Sequence, residues 1–269
     1  MAQTQHICLI TGASAGIGAA IAREYAAQGW NLALTARRDG PMIELAKELK
    51  DEFGTTSHIF PLDLADPKAT QDLVARIEKK GLQIDGLVNN AGFGHPGNYL
   101  ESEWSDHERS LQVMLRAPCE LAHAFSTGMA ERGFGRIINV ASLAGHMPGS
   151  NGHTTYAGIK SFLIKFSQSL NAELGSKGVH VSALCPGFTY SEFHDVNDTR
   201  DGVSRLPKFM WMSAEAVARD GVYACERNKA VHITGRINKG LALFARMIPE
   251  SLAEKLMARH SNRIRKGTD

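Results

Sequence analysis

A serine, a tyrosine and a lysine near the middle of the sequence have the types and spacing of a proton-transfer site. If the chain is helical from Thr154 onward, Tyr156 and Lys160 stand four residues apart and share one helical face. Ser142 follows a short β-type run, residues 137–140, and should therefore lie where a strand ends. A hydroxyl, a phenol and an ammonium at one point can move a proton without a metal. An ordinary pair on a helix surface is the alternative interpretation.

A glycine-rich turn near the N-terminus could supply such a site with a nucleotide. It occupies residues 12–18, between an apolar run typical of a strand (residues 7–11) and an alanine-rich run typical of a helix (residues 19–28). Gly12 permits the tight turn, Gly16 lets the backbone approach a pyrophosphate, and Gly18 lets helix and strand pack closely. The spacing GxxxGxG departs from GxGxxG, and glycines also serve ordinary turns. The position between strand and helix favours the nucleotide site.

The second predicted strand, residues 31–36, ends in two arginines that bear on the choice of cofactor. An acidic residue at this point would accept ribose hydroxyls, whereas an arginine pairs with a 2′-phosphate. Arg37 and Arg38 therefore favour NADP(H), with NAD(H) as the alternative. Asp39 is a less well placed ribose acceptor, and two solvated arginines at a strand end are the other interpretation.

Strands and helices continue to alternate along the chain, which predicts βαβ crossovers and a parallel sheet. We expect an α/β fold, a Rossmann-like doubly wound parallel sheet with helices on both faces, formed by residues 1–269 as a single domain. Asp66 and Pro67 are expected to cap and begin a helix, and Pro118 to break a long one. The later strands are expected at residues 58–61, 86–88, 136–141, 179–184 and 231–233, and the helices at 41–53, 67–80, 102–132, from 154, and 213–228.

Two segments lie outside this alternation. Residues 188–212 are irregular and rich in aromatic side chains and methionine, so we expect a substrate lid. Residues 241–269 are expected to form a C-terminal helical extension followed by a basic tail. The apolar stripes of the helices at 102–132 and from 154 fit either the core or a subunit interface, and we expect a homodimer or homotetramer.

Composition gives few further signals. A net charge of +2, with 43% hydrophobic and 22% charged residues, gives no global indication of nucleic-acid or membrane binding. We expect a cytoplasmic, reduced protein, because the N-terminus lacks the features of a signal peptide and the four cysteines show no CxxC spacing. His95, His146 and His153 lack metal-ligand spacing, so we expect rim histidines and no metal.

Taken together, the motifs resemble the short-chain dehydrogenase/reductase family over nearly the whole chain, from residue 7 to about 233. They are TGASAGIG at 11–18, NNAG at 89–92, Ser142, YAGIK at 156–160 and Pro186-Gly187, in that order. The resemblance implies NAD(P)-dependent hydride transfer between a carbonyl and an alcohol. It implies that Tyr156 is the acid/base, that Lys160 lowers the pKa of Tyr156 and holds the nicotinamide ribose, and that Ser142 orients the substrate oxygen.

Two departures from the family pattern stand out. The family usually carries an asparagine in the long helix, where it helps to hold a proton-relay water, and Met114 occupies that place here. A thioether is a weak acceptor with no donor, so either the relay runs differently or the rate is reduced. The distance from Ser142 to Tyr156 is also one residue longer than the commonest spacing, which the loop at 149–152 can absorb.

We therefore expect an NADP(H)-dependent oxidoreductase that acts on a fairly apolar ketone or secondary alcohol. One alternative is a cofactor-binding regulatory or scaffold protein with reduced or lost catalysis. Another is a membrane-surface protein that uses residues 241–248 and the basic tail. The residues expected to contact the cofactor are Gly12, Ser14, Gly16, Ile17, Gly18, Arg37, Arg38, Asp63, Asn89, Ala91, Gly92, Tyr156, Lys160, Pro186 and Gly187.

Overall fold

The computed structural model describes residues 5–94, 98–149, 151–152, 154–190 and 207–247. The strands are β1 Ile7–Thr11, β2 Asn31–Ala36, β3 Ser57–Pro61, β4 Gly86–Asn89, β5 Gly135–Val140, β6 Val179–Cys185, β7 Thr189–Tyr190, β8 Met212–Ser213 and β9 Val231–Ile233. The helices are α1 Gly16–Ala27, α2 Asp39–Phe53, α3 Ala69–Lys79, α4 Trp104–Leu111, α5 Ala117–Glu131, α6 Thr154–Leu174, α7 Ala214–Glu226 and α8 Arg236–Met247.

Seven of these strands form one parallel sheet in the order β3-β2-β1-β4-β5-β6-β9. The chain winds outward from β1 to β3 and then returns to β4 beside β1, so the direction of winding reverses there. This reversal confirms the predicted doubly wound fold, and in such sheets ligands bind at the carboxyl ends of the strands beside the reversal. β7 and β8 form a separate two-stranded parallel pair.

Apolar side chains cover both faces of the sheet because helices pack on each of them. α1, α2 and α7 pack on one face, and α3, α5 and α6 pack on the other. The central strands are apolar at nearly every position, as expected for strands buried on both sides. Each fully buried leucine or isoleucine in these layers contributes about 1.5–3 kcal/mol, so the sheet is a rigid platform for the loops at its edge.

The helix predicted over residues 102–132 is divided by a π-helical turn, Gln112–Arg116. Pro118 explains the break, since it has no N–H to donate to the carbonyl of Met114, four residues earlier. In this turn the N–H of Ala117 bonds to the carbonyl of Gln112, five residues back. The break expected at Pro118 is therefore confirmed, although it extends over the preceding turn.

The predicted start of the helix over residues 67–80 was wrong. α3 begins at Ala69, and Asp66 and Pro67 lie in a turn before it. Asp66 Oδ1 accepts the N–H of Lys68 at 2.8 Å, and the Asp66 carbonyl accepts the N–H of Ala69 at 3.0 Å. The aspartate bonds to the backbone two residues on, as in an Asx turn, and so it closes a turn instead of opening the helix.

The C-terminal part of the described chain also differs from expectation. Ser213 caps α7 as predicted, because its Oγ accepts the N–H of Ala216 at 3.2 Å. The last helix, α8, begins at Arg236, five residues before the predicted extension at 241. Most of the predicted lid, residues 191–206, and the tail, residues 248–269, lie outside the described residues.

Candidate active site

Ser142 lies two residues beyond β5, in a loop that main-chain hydrogen bonds attach to β6. The N–H of Ala141 bonds to the carbonyl of Leu184 at 2.7 Å, and the N–H of Leu143 bonds to the carbonyl of Pro186 at 2.8 Å. Ser142 Oγ accepts the N–H of Ala144 at 3.1 Å and so caps a short 3-10 turn, Leu143–His146. Because that oxygen already accepts, its own O–H is left to donate to another group.

Helix α6 brings Tyr156 to this hydroxyl. The Tyr156 phenol is hydrogen-bonded to Ser142, which lies 14 positions earlier in the sequence. Burial raises the pKa of Tyr156, and the hydrogen bond from Ser142 opposes that effect. The phenol of the cofactor-free protein is therefore protonated near neutral pH, which is the form that can give a proton to a developing alkoxide.

Lys160 is buried one helical turn from Tyr156. Its side chain is 5% exposed, and its Nζ donates to the carbonyl of Val140 at 2.7 Å. Burial lowers the pKa of Lys160 to about 8, and the neighbouring Cys185 acts in the opposite direction. Lys160 Nζ lies 5.5 Å from the centre of the Tyr156 ring. The serine, the phenol and the ammonium thus meet at the carboxyl end of β5.

The glycine-rich turn lies at the neighbouring strand end, after β1. Gly12 and Gly16 have φ angles of +66° and +56°, which only glycine adopts readily. A Cβ on Gly18 would overlap the Gly12 carbonyl oxygen and stand 2.5 Å from Asn90 Nδ2. Helix α1 starts here with no side-chain cap and no acidic residue in its first turn. Its N–H groups and its dipole therefore favour an anion at this point.

Two residues that the sequence reasoning did not single out hold this turn in place. Thr11 Oγ1 accepts the N–H groups of Asn90 and Ala91 at 2.9 and 3.0 Å. Asn90 Nδ2 donates to the carbonyls of Thr11 and Gly12 at 2.9 and 3.1 Å. The available signal was the second asparagine of NNAG, directly after a predicted strand. These bonds join the carboxyl ends of β1 and β4 into one cradle.

Arginines border the cradle, as the NADP(H) prediction requires. Arg37 and Arg38 are exposed at the end of β2, and Arg38 NH2 lies 3.4 Å from Ser14 Oγ in the glycine turn. Asp39 lies in the first turn of α2 and accepts the N–H of Gly40 at 2.8 Å. Positive charge therefore lies beside the turn, while the Asp39 carboxylate accepts the N–H of the residue that follows it.

The remaining predicted cofactor residues are spread around the same edge of the sheet. Asp63 Oδ1 accepts the N–H of Ala65 at 3.0 Å, and its Oδ2 pairs with Arg109 at 3.2 Å. Ile17 packs against the core beneath the turn. Gly92 lies against Met114, and Gly187 lies against Asn238. Direct contact of Ile17, Asp63, Ala91, Gly92, Pro186 and Gly187 with a cofactor stays a prediction.

Asn89 has a different environment from its neighbour Asn90. Its side chain is 4% exposed, and its Nδ2 donates to Asn139 Oδ1 at 2.8 Å. Asn139 Nδ2 donates to Ser167 Oγ at 2.9 Å, and Ser167 Oγ donates to the carbonyl of Leu163 at 2.7 Å. This buried polar chain runs from β4 through β5 to α6, the helix that carries Tyr156 and Lys160. It gives Asn89 a structural role that the motif alone did not reveal.

Met114 occupies the place where the family pattern has an asparagine, and it is 2% exposed. It belongs to an apolar cluster with Ile159 and Tyr156. A Cβ built on Gly92 would stand 3.1 Å from Met114 Sδ, so the thioether fills the space that Gly92 leaves. At this position the side chain contributes packing against the site and no hydrogen-bond donor.

The described residues contain neither a metal-binding cluster nor a membrane-spanning helix. Among them, no group of three or more His, Cys, Asp or Glu side chains could hold a metal ion. No helix within the described ranges has the length and apolar character needed to cross a bilayer. His146 is partly buried in the turn after Ser142, whereas His95 and His153 lie outside the described residues.

Comparisons with known proteins agree with this geometry. Residues 6–201 match the sequence model of the short chain dehydrogenase family. Nodulation protein G of Rhizobium sp. (strain N33) is 33% identical over 241 residues, which are 87% of this chain and 96% of that protein.

Two solved structures extend the likeness to three dimensions. A short-chain dehydrogenase from Sphingobium yanoikuyae in complex with NADPH is 29% identical, with a TM-score of 0.78 over 91% of this chain and 96% of that one. The bulky-bulky ketone specific alcohol dehydrogenase from Comamonas testosteroni is 30% identical, with a TM-score of 0.76 over 91% of this chain and 93% of that one.

Proposed function

This chain belongs to the short-chain dehydrogenase/reductase family of NAD(P)-dependent oxidoreductases, and we propose that it transfers a hydride between NADP(H) and an apolar ketone or secondary alcohol, with Tyr156 as acid/base. The observation that carries the proposal is the hydrogen bond between Tyr156 and Ser142, one helical turn from the buried ammonium of Lys160. These three groups lie at the sheet edge that also carries the glycine cradle.

The residues present fit a nicotinamide dinucleotide phosphate. Gly12 and Gly18 lack the Cβ that would clash with Asn90, so the turn packs closely against the ends of β1 and β4, and the first turn of α1 has no side-chain cap. These features suit a pyrophosphate. Arg37 and Arg38 are exposed at the end of β2, and Arg38 lies beside Ser14, so their guanidinium groups suit a 2′-phosphate.

The chain's own groups then divide the proton transfer between them. When bound, the nicotinamide supplies the hydride for reduction or accepts it for oxidation. With substrate bound, the Ser142 O–H turns from the Tyr156 phenol to the substrate oxygen, while the Ser142 oxygen keeps the N–H of Ala144 as its donor. Tyr156 gives its proton to the same oxygen in reduction and takes it back in oxidation. Lys160 holds a positive charge beside the phenol, which favours the phenolate that remains after the proton has left.

The apolar character of the substrate is supported by aromatic side chains at both described ends of the predicted lid. Trp211 stacks on Tyr190 with 4.8 Å between ring centres, and the ring centre of Phe188 lies 5.6 Å from that of Trp211. Clefts that bind apolar ligands are lined in this way. The similar enzyme from Comamonas testosteroni is specific for bulky-bulky ketones, which points in the same direction.

Replacing the phenol tests the mechanism. Tyr156→Phe should lower kcat with a panel of hydrophobic ketones by about 10²–10⁴-fold, because the proton donor is removed. NADPH binding, followed by fluorescence titration, should persist. The matched control is Tyr223→Phe, an exposed tyrosine on α7. Unchanged turnover in Tyr156→Phe would contradict the mechanism, and a wild-type protein that binds NADPH without turning over any ketone would instead fit the regulatory or scaffold alternative.

The cofactor assignment has a separate test. Arg37→Asp should lower kcat/KM for NADPH relative to NADH by at least about tenfold, because a carboxylate would face the 2′-phosphate that the arginine pairs with. Arg227→Asp, at the end of α7, is the control for a change of surface charge. An unaltered NADPH/NADH ratio in Arg37→Asp would overturn this assignment.

A further inference from the structure

Helix α8 exposes most of its apolar side chains although it is anchored to the core. Only Asn238 and Ala242 are buried, whereas Ile237, Leu243, Phe244 and Met247 are 43%, 59%, 56% and 75% exposed. Single exposed apolar residues are ordinary, but four on one helix form a contiguous patch. Such a patch indicates a surface that something else covers.

Basic residues run along the same exposed face. Positions 236, 239, 243 and 246 follow helical spacing and read Arg, Lys, Leu, Arg, and the adjacent stripe at 237, 240, 244 and 247 reads Ile, Gly, Phe, Met. α8 contains no acidic residue. A cationic stripe beside an apolar stripe is the pattern of a helix that lies in the plane of a membrane interface.

Aromatic residues continue this surface beyond the start of α8. Gly235, which precedes the helix, lies close to Met212 of β8, and Tyr190 of β7 pairs in register with Ser213. Tyr190 is 54% exposed and Phe209 is 69% exposed. Tyrosine and tryptophan favour the boundary between water and lipid, because one end of each ring is polar and the other apolar.

The patch lies beside the candidate active site. α8 packs against the turn Leu143–His146, which follows Ser142 directly. The charges of Arg246 and Lys165 both act on His146 of that turn, so a second basic side chain, from α6, adds to the positive field there. The exposed face of α8 therefore lies beside the approach to Ser142.

We propose that the exposed face of α8, together with Tyr190 and Phe209, docks on the surface of an anionic phospholipid bilayer, and that apolar substrate reaches Ser142 from it. The docking stands on the exposed apolar and basic stripes, whereas the delivery of substrate rests on the proposed function. Basic residues near an anionic surface favour the docking electrostatically, and burial of the apolar side chains adds to it.

Charge argues against two other occupants of this face, namely a second copy of the chain and the C-terminal residues 248–269. A second copy meeting it through a two-fold axis would place one basic stripe near another. Residues 248–269 carry five Lys and Arg against three Asp and Glu, so their net charge has the same sign as that of α8. An anionic head-group layer complements both the helix and that segment.

Vesicle flotation with the full chain tests the proposal. Wild-type protein should float with phosphatidylcholine vesicles that contain phosphatidylglycerol, float less with pure phosphatidylcholine, and detach as salt is raised. The double variant Leu243→Ser/Phe244→Ser should bind at least about tenfold more weakly, and Lys239→Glu/Arg246→Glu should lose the preference for anionic lipid. The matched control is Ile43→Ser/Tyr223→Ser, which changes exposed apolar residues on α2 and α7.

Either of two results would overturn the proposal: no flotation of the wild type, or flotation that the α8 variants leave unchanged. If the wild type does not float but self-associates in solution, and Leu243→Ser/Phe244→Ser abolishes that association, the face is an interface with a second copy and the proposal is overturned. Turnover of a small water-soluble ketone with NADPH is measured on the same preparations. Flotation without turnover contradicts the proposed function alone, and turnover without flotation contradicts this inference alone.

Discussion

At the scale of single residues, the charge on Lys160 works against stability. The pKa of Lys160 is lowered by burial from 10.5 to about 8, which corresponds to roughly 3 kcal/mol at about 1.36 kcal/mol per pKa unit. The unfolded chain binds more protons at this group between about pH 8 and 10.5, so its contribution to stability improves as pH rises through that window. Below pH 8 the buried charge of Lys160 lowers the free energy of unfolding by the full amount. A buried ammonium of this kind costs folding stability, and such groups cluster at functional sites.

The Lys160→Met variant makes this cost measurable. In the cofactor-free protein at pH 7, urea unfolding should show the variant to be as stable as the wild type or up to about 2 kcal/mol more stable, since removal of the charge outweighs the lost bond to the Val140 carbonyl. The advantage should shrink by pH 10, while ketone turnover is lost at every pH. Lys165→Met, exposed on the same helix, is the control. A destabilised variant whose deficit is independent of pH would refute the argument.

At the scale of elements, local rules located the strands well and the helix starts less well. β1 and β2 have the predicted bounds, because short apolar runs buried on both faces have few alternatives. The start of α3 and the extent of the π-helical turn before Pro118 depended on individual hydrogen bonds of the backbone, one to the Asp66 side chain and one between Ala117 and Gln112. Such bonds are decided by the local backbone and not by apolar periodicity, so the pattern did not predict them.

Another element-scale feature is the buried polar chain that attaches α6 to the sheet. Ser167→Ala removes the acceptor of Asn139 Nδ2 and leaves that buried amide unsatisfied, so we expect a loss of about 1–3 kcal/mol in the free energy of unfolding. We also expect a severalfold lower kcat with little change in KM for NADPH, because α6 positions Tyr156 and Lys160.

Two variants control this experiment. Ser169→Ala changes an exposed serine on the same helix and should be nearly neutral, and Ser167→Thr keeps the hydroxyl and should restore much of kcat. If Ser167→Ala and Ser169→Ala had equal effects on both unfolding and kcat, the buried row of hydrogen-bonded side chains would have no role in positioning α6.

At the scale of the whole molecule, the thiols report on the integrity of the core. Cys8, Cys185 and Cys225 are buried, and burial raises the pKa of each, to about 12 for Cys185 and Cys225. Native protein treated with an aromatic disulfide reagent at pH 8 should therefore react at no more than Cys119, which is partly exposed.

In denaturant, all four thiols should react, because global unfolding exposes them. Cys119→Ser then gives a native protein with almost no fast-reacting thiol. Rapid labelling of Cys185 in the folded state, followed by mass spectrometry, would show that the region behind Lys160 opens without unfolding, contrary to the packing described above.

The sequence by itself determined the parallel α/β fold and the order of the motifs, because apolar periodicity and glycine placement act over a few residues. It also predicted Ser142, Tyr156 and Lys160 as one site, from their types and spacing. Tertiary structure alone decided that Asn89 supports the core while Asn90 holds the cradle, that Met114 packs on the site, and that α8 exposes an apolar, basic face beside it. Each of these depends on which distant elements meet, and neighbouring residues of one strand or helix can meet quite different partners. The serine, tyrosine and lysine were visible as a pattern, but the burial that tunes the pKa of Lys160 came only from the packed sheet edge.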